Sequence, residues 1–321
     1  MRQRNGCFQV SAGEETRLIS PKRISSILLS AQTMVSSSAL SLAASNGIPV
    51  LILQRSGQLG ARVLPADVVG HAALRRAQAA FPDHPWATEW CLELLKSKTM
   101  GQDRVLGILA TWRGGQRERI EEARTVLGRQ LEAMATLQSK PLIDVRSSIL
   151  GHEGTAARAY WQVIGSILPD ELSFQERSRR PALDTFNSCL NYTYAILLGQ
   201  VDVACLACGM DTDLGVLHTD SHGRPSYSLD ILEAVRPWAD ELLVKLTMEG
   251  QLRKTWCKAE DGGMLLTSEA RRKLIPSFNE FFLEHCQFGA NKSSRRNHLM
   301  RLARKQTETI RQSRNLQNGN Q

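Results

Sequence analysis

The spacing of apolar side chains changes near residue 66, and this change decides what a chain of 321 residues like this one can fold into. Ahead of it, the short runs CFQV, RISSILLSA, PVLILQ and ARVLP alternate with turn-forming stretches in SAGEE, ASNG and RSGQLG. Runs of that length and composition suit strands, and SSSALSLAASNG between two of them suits one short helix. From about Asp67 the spacing becomes helical. TEWCLELLKSKTMGQDRVLGILATW and RERIEEARTVLGRQLEAMATL place apolar residues three and four apart. PALDTFNSCLNYTYAILLGQV does the same, with Pro181 expected just inside its start. The expected fold class is therefore α+β: a small N-terminal β domain over residues 1–66, a linker and first helical segment over 67–88, and a larger, mainly α-helical domain over 89–321. A chain of this length exceeds the roughly 150 residues of one ordinary domain, which agrees with a division in two.

Composition narrows the class. An apolar share of 42% and a charged share of 22% belong to an ordinary globular protein. No apolar run approaches the roughly 18 residues of a spanning helix, and MRQRNGCFQV has charge but no apolar signal region, so no membrane and a cytoplasmic location are expected. Seven scattered cysteines, an odd number, suit reduced thiols better than a disulfide framework. Forty basic against 32 acidic side chains give a net charge of +8, which favours a polyanionic partner without requiring one. QAAFPDHPW and RGGQRE are candidate linkers. NKSSRRNHLMRLARKQTETIRQSR, with Leu299, Leu302 and Ile310 near one stripe, reads as an amphipathic helix; its Arg295, Arg296, Arg301 and Arg304 suit a solvated face as well as a DNA contact.

Few residues carry chemistry. Cys205, Cys208, His218 and His222 spell C-x2-C followed by H-x3-H, yet the spacer between the pairs is nine residues where a zinc finger has about twelve. The two cysteines end the apolar helix YAILLGQVDVACLACG just before Gly209, a natural C-cap, and buried thiols explain them better than zinc. Asp230 and Glu233, in SLDILEAVRP, read on their own as helix-start acids meeting the helix dipole. His218, closing LGVLH, reads on its own as a packed or exposed imidazole. Glu153, in SSILGHEGTAARAYWQVIG, is expected near a helix start with Ala157, Tyr160 and Ile164 on its face; a carboxylate there needs a cation or a donor if it is buried. Two carboxylates and an imidazole suit Mg2+ or Mn2+, but sequence spacing does not bring them together.

Four blocks, RSSILGHEGTAARAYW, FQERSRRPALDTFNSCLNYTYAILL, GMDTDLGVLH and RPSYSLDILEAVRP, resemble in order and spacing the CRISPR-associated endonuclease and integrase family of spacer acquisition. The front of the chain agrees through ISPKRISSILLS, VSSSALSLAASNGIPVLIL and GQLGARVLP, so the resemblance spans most of residues 7 to 246. It implies that Glu153, His218 and Glu233 are catalytic residues and ligands of one Mg2+ or Mn2+ ion, with Asp230 in support behind them. It further implies attack by the 3′-hydroxyl ends of a captured duplex on the CRISPR repeat, with hydrolysis of branched or free DNA as a side or reverse reaction. His218 is also a candidate proton shuttle. The implied partners are double-stranded DNA, a second copy of the chain joined through the β domains, and the small second CRISPR-associated protein of adaptation. Captured sequences vary, so backbone contacts should dominate, with Arg177, Arg179, Arg180, Arg224 and Arg236 as candidates. The chain departs from the pattern at His152, where an apolar residue is usual, and the resemblance fades past Phe281. Two rivals stand beside this reading: a metal-dependent nuclease of branched repair intermediates, and a catalytically inert DNA-binding scaffold.

Overall fold

A computed structural model describes residues 1–12, 15–24, 26–30, 33–53, 59–63, 72–112, 116–260 and 262–319. The expected boundary at residue 66 and parts of SAGEE, RSGQLG and RGGQRE lie outside the described residues. The chain divides into two compact units, Met1–Ala72 and Ala73–Gln321.

In the first unit, β1 (Arg2–Arg4), β2 (Cys7–Ala12) and β3 (Glu15–Ile19) form an antiparallel sheet. A second sheet is ordered β4 (Ile27–Ser30), β5 (Val50–Leu53) and β6 (Leu59–Val63). β4 and β5 run parallel, which demands a crossover, and α1 (Ser37–Ser45) lies between them in the chain. The helix opens where the Ser36 hydroxyl accepts the Ala39 N–H, and the chain turns out of it at Gly47, whose φ is 65°. Phe8, Ile27, Leu29, Ala39, Ala43, Ile48 and Val50 make the core.

The second unit is mainly helical: α2 (Ala72–Ala80), α3 (Ala87–Trp112), α4 (Arg117–Ala135), α5 (Leu142–Ile167), α6 (Thr185–Ala207), α7 (Ser226–Val235), α8 (Pro237–Met248), α9 (Ser268–Leu283) and α10 (Arg295–Gly319). The α+β class read from the sequence is therefore what forms. Two small antiparallel hairpins, β7 (Cys257–Glu260) with β8 (Gly263–Leu266) and β9 (His285–Phe288) with β10 (Asn291–Ser294), had no sequence-based expectation. α3 packs against α4, α5, α7 and α8. At its crossing with α8, a Cβ on Gly101 would stand 2.8 Å from Cβ and Cγ of Pro237, so the missing side chain sets how closely the helices approach.

Several boundaries differ from expectation. Pro181 lies before α6 and not inside it, because Asp184 is the cap: its carboxylate accepts the Asn187 N–H at 2.7 Å. α6 ends as read from the sequence, with Gly209 at φ 81° and Met210 donating to the Cys205 carbonyl at 3.1 Å. α6 is the one described helix long and apolar enough to cross a membrane, and 67% of its most apolar window is buried inside the fold, as for a core helix. QAAFPDHPW is no linker: Phe81 is buried, stacks on His84 and meets Trp90 edge-on. The basic segment starts as a strand, since Asn291–Ser294 pairs with β9, and α10 begins at Arg295 with Leu299, Leu302 and Ile310 buried along one stripe. All seven cysteines are free thiols.

Candidate active site

Glu153 sits in the middle of α5 and not near its start, because the helix already begins at Leu142 behind Pro141. Ala157, Tyr160 and Ile164 follow it at helical spacing, and Tyr160 and Ile164 are fully buried. The Glu153 side chain keeps 24% exposure, so its face opens to solvent at that point. Glu233 projects from the third turn of α7 and is 7% exposed. The two carboxylates converge on one cation, the Nζ of Lys98 from α3: Lys98 donates to Oε1 of Glu153 and, at 2.6 Å, to Oε2 of Glu233. The other Glu233 oxygen pairs with Nη2 of Arg236 at 3.0 Å. Burial alone would push the Glu233 carboxyl up; Arg236 and Lys98 more than offset it and bring the group down to about 2.

His218 lies in the segment between α6 and α7, with its side chain 19% exposed. Asp230 is no helix cap, because α7 starts at Ser226 and places Asp230 one turn inside. Its carboxylate instead accepts the N–H groups of Val216 (2.7 Å), Leu217 (3.1 Å) and His218 (2.9 Å), and its Oδ1 lies 2.6 Å from the His218 Nδ1. Four contacts to one fully buried carboxylate fix the backbone and ring orientation of His218 together, leaving Nε2 as the ring's open nitrogen. The turn is secured from two further helices. Gln78 of α2 accepts the Asp211 N–H and donates to the carbonyls of Asp211 and Leu214; Arg146 of α5 donates to the Val216 carbonyl at 3.1 Å. A Cβ on Gly215 would stand 2.2 Å from the His218 carbonyl oxygen, so only glycine permits this turn.

Behind Glu233 lies a buried polar cluster. The Arg236 and Arg177 guanidiniums lie over the Tyr194 ring, 5.0 and 5.5 Å from its centroid. The Tyr194 hydroxyl donates to Oδ1 of Asp240 at 2.5 Å and the Tyr160 hydroxyl to Oδ2 at 3.0 Å. Burial pushes the Asp240 carboxyl up to about 6 against these two hydrogen bonds and the arginines. Burial likewise raises both phenols, which therefore stay protonated as donors.

The structure thus brings Glu153 and Glu233 together and sets His218 near enough for its charge to act on Glu233. Among the described residues, no three His, Cys, Asp or Glu side chains form a group that could hold a metal ion. A physical reason is visible at Lys98, whose ammonium takes both carboxylates. Two carboxylate oxygens already sharing one compact cation are the donor type that fits a hard divalent ion; the polar partner of His218 is Asp230. The zinc-finger set does not assemble either: Cys205 is buried, His222 is exposed and His218 belongs to Asp230. His152 points to Gln130 of α4, 2.7 Å away. Of the arginines, Arg179 and Arg180 are exposed and Arg224 half-buried, whereas Arg177 binds Asn187 and Asn191, and Arg236 binds Glu233. Arg295 faces inward, stacked on Phe281 and paired with Glu241 at 3.0 Å, so it is not part of a cationic outer face. Sequence reasoning missed Lys98 and Asp240. The available signal was a lysine on the apolar stripe of α3, between Leu94, Leu95 and Gln102, Val105.

Three comparisons bear on this arrangement. The model of the family described as CRISPR associated protein Cas1 matches residues 1–280, stopping where the resemblance in sequence fades. A CRISPR-associated endonuclease Cas1 of Rhodospirillum rubrum is 33% identical over 276 residues, 80% of this chain and 75% of that one. Among solved structures, a Cas6-RT-Cas1–Cas2 complex aligns with a TM-score of 0.78 at 22% identity, covering 97% of this chain and 34% of that chain. A casposase bound to integration product aligns with a TM-score of 0.74 at 23% identity, covering 94% of this chain and 84% of that one. The helical fold with a small β unit ahead of it in the chain is shared with these solved structures. The chain belongs to the CRISPR-associated Cas1 family.

Proposed function

We propose that this protein is a divalent-metal-dependent DNA integrase and endonuclease of CRISPR adaptation, which joins the 3′-hydroxyl ends of a captured duplex to the CRISPR repeat by transesterification. The observation that carries the reading is the convergence of Glu153 and Glu233, from separate helices, on a single cation, with His218 fixed separately by Asp230. The residues that would hold Mg2+ or Mn2+ are Glu153, Glu233 and His218 through Nε2. Such an ion supplies charge stabilisation at the phosphoryl oxygens and lowers the pKa of the attacking hydroxyl.

The chain's own groups do the remainder. Asp230 holds His218 in one tautomer, so Nε2 serves either as a ligand or as a proton acceptor and not as both at one time. Arg236 neutralises the second Glu233 oxygen and keeps that carboxylate ionised. The exposed Arg179, Arg180 and half-buried Arg224 are the proposed contacts to DNA backbone, while Arg177 and Arg236, though candidates by sequence, are engaged in shaping the site. Relatives named as endonucleases support phosphodiester chemistry over an inert scaffold. A fold shared with a casposase captured on an integration product favours strand transfer over a pure repair nuclease. The partners in this reading are duplex DNA, a second copy of the chain joined through the β units and the small second adaptation protein; a Cas6-RT-Cas1–Cas2 complex among the structural neighbours supports the last of these.

The test is joining of a short 3′-hydroxyl duplex to a repeat-bearing plasmid, with the small partner protein and Mg2+ or Mn2+ present. Glu153→Ala is expected to abolish joined product, a loss of at least about a thousandfold. Product that persists at the wild-type level in Glu153→Ala overturns the mechanism.

A further inference from the structure

We infer that the Lys98 ammonium is an exchangeable occupant of the divalent-cation position: it neutralises Glu153 and Glu233 in the metal-free protein and, displaced as an intact cation, passes its charge to the scissile phosphate of bound DNA. The inference rests on the metal reading given above and adds a residue that this reading does not contain.

Geometry comes first. Lys98 Nζ meets one oxygen of each carboxylate, the oxygens a shared ion would take, and it stands 2.6 Å from that of Glu233. A hard divalent cation binds carboxylate oxygen at about 2.1 Å, so ion and ammonium compete for the same point in space. Charge comes second. The charges of the Glu153 and Glu233 carboxylates are already matched by Lys98 and Arg236. Adding two positive charges while the ammonium stays would leave a surplus in a site where the Lys98 side chain is only 8% exposed, and like charges at such range repel strongly.

The direction of escape follows. Lys98 carries a flexible four-carbon stem, and Glu153 is the more exposed of its two partners, so the open side of the site lies toward α5. A phosphodiester entering there brings the negative charge that the displaced ammonium lacks, and an ammonium is a compact donor suited to phosphate oxygen. Metal and DNA therefore help each other, because each removes part of the cost of the other's arrival. By linkage the two effects on affinity are equal. A lysine serving only as a structural ion pair gives no such coupling.

The experiment titrates Mn2+ calorimetrically into the full chain, without DNA, for wild type, Lys98→Met and Lys98→Gln. The glutamine keeps an N–H donor for the carboxylates and holds the fold if the methionine does not. Both variants should bind Mn2+ about tenfold or more tighter than wild type. A short duplex should then tighten Mn2+ binding to wild type by about tenfold and leave the variants nearly unchanged. Folded variants with wild-type or weaker Mn2+ affinity, or with the DNA effect undiminished, overturn the exchange. Should neither variant fold, the absence of the DNA effect in wild type overturns it. Failure of all three proteins to bind Mn2+ instead overturns the metal reading beneath it.

Discussion

Glu233 and Asp240 stand on successive helices, both are buried, and both lie near Arg236, yet their titrations part in opposite directions. Glu233 has two cations in direct contact and falls to about 2; Asp240 has two neutral phenols and rises to about 6. The consequences for stability have opposite signs. A depressed carboxyl contributes stability above its ordinary 4.5, and that contribution is lost as pH falls from there through about 2. A raised carboxyl contributes stability below its ordinary 3.8, lost as pH rises from there through about 6. Each amounts to about 3 kcal/mol at its limit. Urea unfolding of the metal-free protein between pH 4 and 6 should therefore show the Asp240 loss, and Asp240→Asn should flatten that slope; an unchanged slope in the variant counts against the assignment. At this scale the chain disclosed Glu153, His218, Asp230 and Glu233 as chemically distinctive residues, through motifs matching a family. It did not disclose Lys98 or Asp240, because a charged residue on an apolar stripe declares a partner without naming it. Asp230 shows the same limit: its spacing suggested a cap, while its real acceptors are three N–H groups of a turn that only the fold brings near.

Among the elements, helices with continuous apolar stripes were legible and their ends were not. α3, α4 and the C-terminus of α6 fall close to where periodicity and Gly209 put them. The start of α6 was misread because proline and aspartate both mark helix starts, and here the Asp184 carboxylate meets the Asn187 N–H. β7 to β10 were invisible because four-residue strands get their stability from partners across the hairpin and not from their own composition. The α3–α8 crossing gives an element-scale prediction. Gly101→Ala pushes a methyl into the rigid Pro237 ring and should cost about 1–3 kcal/mol in denaturant unfolding. Gly128→Ala, on exposed α4 with open space around it, should leave stability equal or raise it by about 0.5–1 kcal/mol. Equal effects at the two positions would mean that the close crossing does not limit α3.

For the whole molecule, a net charge of +8 described an attraction to polyanions but not its location. The structure separates cations that face solvent from those already committed. Arg179→Ala should lower the slope of log affinity against log salt for duplex DNA by about 1, with little change in unfolding. Arg177→Ala should do the reverse, since its guanidinium is held by Asn187 and Asn191. A salt slope that responds only to Arg177 would reassign the DNA face. The division into β and helical parts was readable because periodicity changes once, whereas the convergence of α3, α5 and α7 on one point needed tertiary packing.

α8 carries two adjacent acids with different partners: Asp240 meets Tyr160 and Tyr194, and Glu241 meets Arg295 at the root of α10. The residues beyond 280, where the family model stops matching, are thereby tied through Arg295 to the helix that follows Glu233 in the chain. A graft of another relative's residues in place of α10 should be tolerated when an arginine is kept at position 295, where it meets Glu241, and should destabilise the fold when it is not.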